Sequence, residues 1–336
     1  MINSLEDLML TMWGFVPSRV LQISIKYSII DIIHTKGVIT TQELAENLKW
    51  SNRPTKSIMN VLQSIGLVIK IPIDKWTLSN ISKKWLTKDS SYYLGDFIQR
   101  SSLLEKSYDK IDLVAKNDHP NHEMFVETIN AFGKQEEITK KFAYSMNAMS
   151  LEFAHLVAEH VPLDLTNNSC LLDVGCGIGT ISIAISQKWK DIKIDMFDLP
   201  NVTALAKNEV NKIKPSLNIK IHESDWAQWD WTKYYNIVVL SQVLHELDLS
   251  GASWLLKKAT DCLAQGGIIL IVGIGFQHKK TNNLLFQIFD LNMKLEIGGD
   301  NTTLNWILDE CNKNQTFLNK VVSMKGGRTL YIIKKN

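Results

Sequence analysis

Apolar residues recur along this chain with two different rhythms. In the first part they follow helical spacing: Val20–Ile33 reads as one amphipathic helix and Arg53–Ile69 as a longer one. Between them, Thr40-Thr41-Gln42-Glu43 has the form of a helix start with a capping box. Lys75-Trp76-Thr77-Leu78 alternates like a short strand. Further along, short β-branched runs alternate with amphipathic stretches. Leu171–Val174, Ile192–Asp198, Ile219–Ile221, Asn236–Leu240 and Gly266–Gly273 read as five strands, each followed by a helical pattern. That alternation predicts a doubly wound α/β sheet with a ligand along its strand tips.

The turn after the first of these strands carries the chemistry. Asp173-Val174-Gly175-Cys176-Gly177-Ile178-Gly179 places three glycines at alternate positions, where the backbone must turn sharply and let a ligand come close. A dinucleotide fingerprint requires Gly-x-Gly-x-x-Gly, and Thr180 breaks that spacing. Asp173, at the strand end, suits a ligand with a cationic amino group better than a pyrophosphate. The second strand ends in Asp198, placed to accept hydrogen bonds from ribose hydroxyls. Pro200 just beyond gives Asp198 a second reading as a helix cap. After the third strand, Asp225 and Trp226 could take an adenine amino group and stack on its ring.

Other features narrow the function classes. A length of 336 residues predicts two domains, and 45% hydrophobic residues can fill two cores. The boundaries expected are 1–100 for an N-terminal winged-helix module, 101–166 for a helical layer and 167–336 for the sheet, with loop signals at Asn117–Asn121 and Asn167-Asn168. A winged helix by itself suggests DNA binding. A net charge of +2 leaves no basic footprint for nucleic acid or an acidic membrane, and Arg53 and Lys56 supply too few cations for several phosphate contacts. Cys170, Cys176, Cys262 and Cys311 show no metal-ligand spacing and read as small buried residues of a reducing compartment. No basic signal-peptide start and no membrane-length apolar run is present, so a cytoplasmic protein is expected.

These motifs together resemble the S-adenosylmethionine (SAM)-dependent small-molecule O-methyltransferases of the caffeic-acid type, including their bacterial natural-product members. The resemblance rests on the glycine turn, Phe197-Asp198-Leu199-Pro200-Asn201-Val202, Asp225-Trp226, Leu240-Ser241-Gln242-Val243-Leu244-His245-Glu246-Leu247-Asp248, Gly266-Gly267 and Asp290–Gly299. It implies a Rossmann-like methyltransferase sheet behind an N-terminal winged-helix dimerisation domain, and SAM as cofactor with S-adenosylhomocysteine as product. By the same resemblance Asp173, Gly175, Gly177, Asp198, Leu199, Asp225, Trp226, Ser241 and Ser150 hold SAM. His245 is then the general base, and Met146, Met149, Asp290, Met293 and Trp13 line the acceptor site. Trp13 belongs to an apolar segment, Met9–Phe15, equally readable as core or as a homodimer interface reaching the partner's site.

One departure stands out. Where relatives carry a glutamate that supports the histidine, Gly298-Gly299-Asp300-Asn301 places Asn301, leaving Asp300, Glu296 and Asp290 as candidates to orient His245. The function expected is methyl transfer to a hydroxyl of a small aromatic or polyketide-like molecule, in a homodimer without nucleic-acid or membrane partners. The alternatives are transfer to carbon, nitrogen or sulfur, a SAM-binding relative that does not methylate, and a winged-helix regulator.

Overall fold

The computed structural model describes residues 2–109, 111–117, 136–162, 164, 169–213, 218–274 and 284–336; the loop signal at 118–121 and the boundary at 167–168 lie outside them. The chain divides into two compact units, Met1–Lys106 and Ser107–Asn336.

In the first unit, short helices surround a three-stranded sheet of β1 (Ile39–Thr40), β2 (Val68–Ile71) and β3 (Lys75–Leu78) in the order β1-β3-β2. The single helix expected over Val20–Ile33 is two, Phe15–Lys26 and Ile29–Lys36, because Ser28 turns left-handed at φ 54°. The break re-aims the chain, so that Val20 and Ile25 before it and Ile29, Ile30 and Ile33 after it enter one core with Leu44, Met59, Leu62 and Trp76. The helix expected over Arg53–Ile69 ends at Ser64, where Gly66 at φ 77° reverses the chain and Val68–Ile71 becomes a strand paired with β3. The capping box forms as written: Glu43 N–H donates to the Thr40 hydroxyl at 3.2 Å and Thr40 N–H to the Glu43 carboxylate at 2.8 Å. Trp76 is fully buried, and its indole N–H donates to the Thr41 hydroxyl at 2.8 Å.

No residue of the first helix, Leu5–Met12, is buried, and Leu10, Met12, Trp13 and Phe15 are all more than half exposed. Among the described residues no single helix is long and apolar enough to cross a membrane; Leu5–Met12 and Phe15–Lys26 pass that test only as a pair bent by 42°.

The second unit is built on a seven-stranded sheet of β4 (Cys170–Val174), β5 (Lys193–Asp198), β6 (Ile219–Glu223), β7 (Tyr235–Ser241), β8 (Leu263–Ile274), β9 (Thr316–Ser323) and β10 (Arg328–Lys335). Its order is β6-β5-β4-β7-β8-β10-β9. The first five are parallel, and β10 runs antiparallel to both β8 and β9. The sheet therefore has two strands beyond the five read from the sequence.

Successive residues face opposite cores, as burial on both faces of a parallel sheet requires. Leu171, Ile237, Val239, Ile268 and Leu270 pack with the helices Glu136–Glu159 and Thr180–Lys188. Leu172, Val174, Val238, Leu240 and Ile269 pack with Leu249–Asp261 and Leu304–Lys313. The chain leaves β4 toward β5 and β6 on one side and later returns to β7 on the other, so the strand order reverses between β4 and β7. A crevice at the carboxyl ends of the strands follows from that reversal.

Thr41→Val is expected to cost about 1–3 kcal/mol, because it strands the Trp76 N–H in the core. Urea unfolding followed by far-ultraviolet circular dichroism should show a lower midpoint with an unchanged slope.

Candidate active site

The glycine turn after β4 is tied to the tip of β5. Gly177 N–H donates to Asp198 Oδ2 at 2.8 Å, and Leu199 N–H donates to Oδ1 at 2.7 Å. Cys176 N–H donates to the Phe197 carbonyl at 3.0 Å, and Ser224 N–H, at the tip of β6, donates to the Asp198 carbonyl at 3.1 Å. Gly175 has φ 62°, and a Cβ there would stand 2.7 Å from Val243 Cγ1. Gly177 has φ 58° and nothing within 4 Å of where a Cβ would be, so its backbone borders open space that a ligand can enter. The first residue of the next helix, Thr180, donates its hydroxyl to Asn147 Oδ1 at 2.5 Å, pinning the Glu136–Glu159 helix over the turn. Met146, Met149 and Ser150 lie on that stretch of helix and are all partly buried.

The acids differ in setting. Asp173 is only 2% exposed and accepts from the Ser182 hydroxyl at 2.6 Å. Its carboxylate is therefore satisfied inside the protein, on the face of β4 that packs against the Thr180–Lys188 helix. Burial pushes its pKa up to about 7, against the Ser182 hydrogen bond and with the charge of Asp198 adding to the rise. Asp198 is also raised, to about 6, by burial opposed by the two backbone N–H donors. Each of its oxygens keeps a lone pair beyond those bonds. Asp225 takes the Gln228 N–H at 2.8 Å and caps its own turn. Trp226 is partly buried and accepts the Trp231 indole N–H on its carbonyl at 3.0 Å.

Behind them Trp229 stacks on Phe197 at 4.4 Å and 15°, its own indole N–H buried and unpartnered. The run of three tryptophans at 226, 229 and 231 was the signal for this aromatic wall. The reading of Asp225-Trp226 alone missed it.

At the tip of β7, Ser241 is partly buried and Gln242 takes φ 61°, its N–H donating to the Val272 carbonyl at 2.8 Å. The Gln242 Nε2 is buried without a partner. The next residues form a 3-10 turn, Leu244–Glu246, carrying His245. His245 is partly buried, and its ring meets Phe289 edge-on at 5.0 Å and 85°. Burial first, and then the positive charge of Arg328, hold its pKa down to about 4, so the imidazole is neutral at pH 7.

Gly299 lies against the same turn so closely that a Cβ would be 2.0 Å from the His245 carbonyl, and Asp300 N–H donates to the Leu247 carbonyl at 2.9 Å. That contact explains the glycine of the Gly298-Gly299 pair. No described hydrogen bond joins His245 to the three acids expected to orient it. Asp290 and Asp300 both pair with Lys294, at 3.0 and 2.9 Å, and Glu296 is buried on the same Leu284–Glu296 helix. Asn301 is buried with both side-chain polar atoms unpartnered. Met293 is partly buried on that helix, and Asn292 accepts from the Tyr108 hydroxyl. Trp13 belongs to the first unit.

A surface groove of about 790 Å³, lined by Lys257, Asp261, Gln265 and Asn336 among others, opens by the start of β8, away from the strand tips.

Known proteins agree with this architecture. A family model described as the O-methyltransferase domain matches residues 112–307, and one described as the O-methyltransferase dimerisation domain matches residues 9–88. The chain belongs to the O-methyltransferase family, of the caffeic-acid type, and is a SAM-dependent methyltransferase.

Among its relatives, 3-hydroxy-5-methyl-1-naphthoate 3-O-methyltransferase of Streptomyces sahachiroi is 22% identical over 278 residues, spanning 81% of this chain and 79% of the relative. The SAM-dependent methyl transferase PigF of Serratia sp. is 19% identical over 338 residues, spanning 98% of this chain and 96% of PigF. The structure of human N-acetylserotonin methyltransferase in complex with SAM superposes with a TM-score of 0.84 at 18% identity, covering 100% of this chain and 99% of that one. At that identity the superposition speaks for the fold.

The Asp173 shift predicts a pH-dependent stability. The folded state holds its proton up to about pH 7, while the unfolded chain releases it near 3.8, so its contribution falls as pH rises between those values. Asp173→Asn should therefore raise the melting temperature relative to the parent increasingly from pH 4 to 7. Above pH 7 the difference should level off, at a gain on the order of 2–4 kcal/mol. Thermal melts across that range check it.

Proposed function

We propose that the strand-tip crevice binds SAM and that the enzyme methylates a hydroxyl of a small aromatic or polyketide-like molecule with His245 as base. The observation that carries this reading is the pairing of two differently equipped ends on one sheet edge. At the β4–β5 end stand an open glycine turn and the Asp198 carboxylate with acceptor capacity left over. At the β7 end stands a neutral imidazole beside an aromatic ring, without a hydrogen-bond partner among the described residues.

The fit to the cofactor is chemical. Asp198 would accept from the ribose hydroxyls, and Leu199, Asp225 and Trp226 would border the adenine, with Trp229 and Phe197 as a rigid backing. The backbone of Gly175 and Gly177, with Ser241 and Ser150, would border the methionine end. Asp173 lies beneath the turn with its carboxyl bonded to Ser182, and a cationic ligand above it would favour its ionised form. Bound SAM supplies a methyl group on a sulfonium, which is already a good leaving group.

The remaining work falls to the chain. It aligns the acceptor, a contribution of up to about 7–11 kcal/mol when fully realised, and removes the hydroxyl proton. Met146, Met149, Met293 and Phe289 are proposed to flank the acceptor, with thioethers that adapt to flat rings. A ring nitrogen of His245 takes the proton. Without a carboxylate partner among the described residues and with its pKa depressed, it is a weak base, which matches an acidic phenol.

The same weakness favours one second reading, an acceptor nitrogen, carbon or sulfur that needs no base. The exposed apolar segment around Trp13 and the dimerisation-domain match support a homodimer closed over the N-terminal unit.

Turnover of labelled SAM with a panel of hydroxyaryl acceptors tests the proposal. His245→Ala should lower kcat by about 10²-fold or more with a hydroxyl acceptor. An undiminished rate would favour the second reading. The ratio of parent to His245→Ala kcat/KM should stay flat from pH 8 down to about 5.5, because the His245 proton is taken up only near pH 4 and the limbs of Asp173, Asp198 and Glu246 are common to both enzymes. A limb at the ordinary histidine value would contradict the depressed base.

A further inference from the structure

The last strands of the sheet, absent from the reading of the sequence, bring a cation to the acceptor side. Arg328 opens β10 and pairs in register with Ile274, at the carboxyl end of β8. It thus stands on the same edge as the glycine turn and His245. Its strand lies two places beyond β7, the strand that delivers His245, and on the side away from Asp198. Two strand spacings are roughly 10 Å, the span of a fused aromatic system.

The Leu284–Glu296 helix joins the two points. Phe289 meets the His245 ring, and Leu285, one turn earlier, lies 3.4 Å from where a Cβ on Gly327 would be. Gly327 directly precedes Arg328.

The guanidinium is poorly satisfied by the protein. It lies over the Phe153 ring at 5.1 Å, and Nη1 donates to the Gly326 carbonyl at 3.4 Å, a long bond. Its Nε is buried without a partner, and among the described residues no carboxylate pairs with it. A partly buried cation left in this state costs stability unless a ligand supplies the anion. Burial lowers its pKa to about 10, which leaves it charged at pH 7, and its field reaches His245.

We propose that Arg328 is a specificity-determining residue that binds an anionic oxygen on the acceptor, so that the substrate is a hydroxyaryl compound bearing a carboxylate or a second acidic phenol. This rests on the methyltransferase reading above. A planar carboxylate would use the fork of donors that the protein leaves open, and an acidic phenol would use one of them.

The test uses the full-length protein saturated with S-adenosylhomocysteine and titrates two acids, 4-hydroxybenzoate and 6-hydroxy-2-naphthoate, each against its methyl ester. A dihydroxynaphthalene in place of the acid distinguishes the phenol source from the carboxylate source. The parent protein should bind the preferred anionic form at least tenfold more tightly than the neutral one. Arg328→Met should bring that ratio close to one, and Arg328→Lys should leave it in between. An unchanged S-adenosylhomocysteine affinity and a melting temperature no lower than the parent's certify that both variants are folded.

Equal binding of charged and neutral forms by the parent, binding of neither, or a preference that survives Arg328→Met overturns the proposal and leaves the arginine a packing partner of Phe153. Failure of the parent to bind S-adenosylhomocysteine at all is a different result and removes the methyltransferase reading beneath it.

Discussion

The hydrogen bonds between the Asp198 carboxylate and the backbone N–H groups of Gly177 and Leu199 are the constraint on which the rest of the site depends. A loop of three glycines with positive φ has a large conformational entropy to lose, which the internal bond from Gly179 N–H to the Cys176 carbonyl at 3.0 Å offsets only in part. One oxygen of the Asp198 carboxylate, at the tip of the neighbouring strand, ties the loop down at Gly177, while the other is fixed by the N–H of Leu199 on its own strand tip. That arrangement fixes where the Thr180–Lys188 helix starts, and Thr180 in turn holds the Glu136–Glu159 helix through Asn147. Charge-assisted bonds of this kind offset part of the cost of drawing the carboxylate out of water. Burial still wins in the balance, as the raised pKa of Asp198 shows.

Charge along the strand tips is segregated. The β4–β5 end holds two acids, Asp173 and Asp198, both with pKa values raised by burial. The β7–β10 end holds a neutral His245 and a cationic Arg328, both with pKa values lowered chiefly by burial, and Glu246, which burial raises to about 8 and so keeps largely uncharged at pH 7. Such an edge favours a cation at one end and an electron-rich or anionic group at the other, which suits a sulfonium donor facing a phenolic acceptor. The close packing of Gly299 on the His245 turn holds the second end in place.

Much of this was legible in the sequence because it is written locally. The five parallel strands show as β-branched runs, and the capping box at Thr40 is a four-residue signal. The glycine turn and Asp198 lie within a stretch short enough to read as one unit. What escaped depends on contacts between distant residues. The break at Ser28 follows from where the isoleucines on either side must go, and Ser28 itself carries no turn signature. The Ser182 partner of Asp173 left no local trace, because it is set by packing between a strand and a helix. The acids near His245 looked like its support, yet Lys294 draws two of them away. Arg328 could not be placed at all, because only the antiparallel return of β10 against β8 carries it to the strand tips.

Calorimetric titration of S-adenosylhomocysteine into the parent protein and into Asp198→Ala tests the central claim most directly. The account predicts binding in the roughly micromolar range for the parent, weakened by about tenfold to a hundredfold in the variant, which loses both the ribose contacts and the tie on the glycine turn. Equal affinity in the two proteins would contradict the claim that Asp198 organises the site, and no binding by the parent would contradict the site itself.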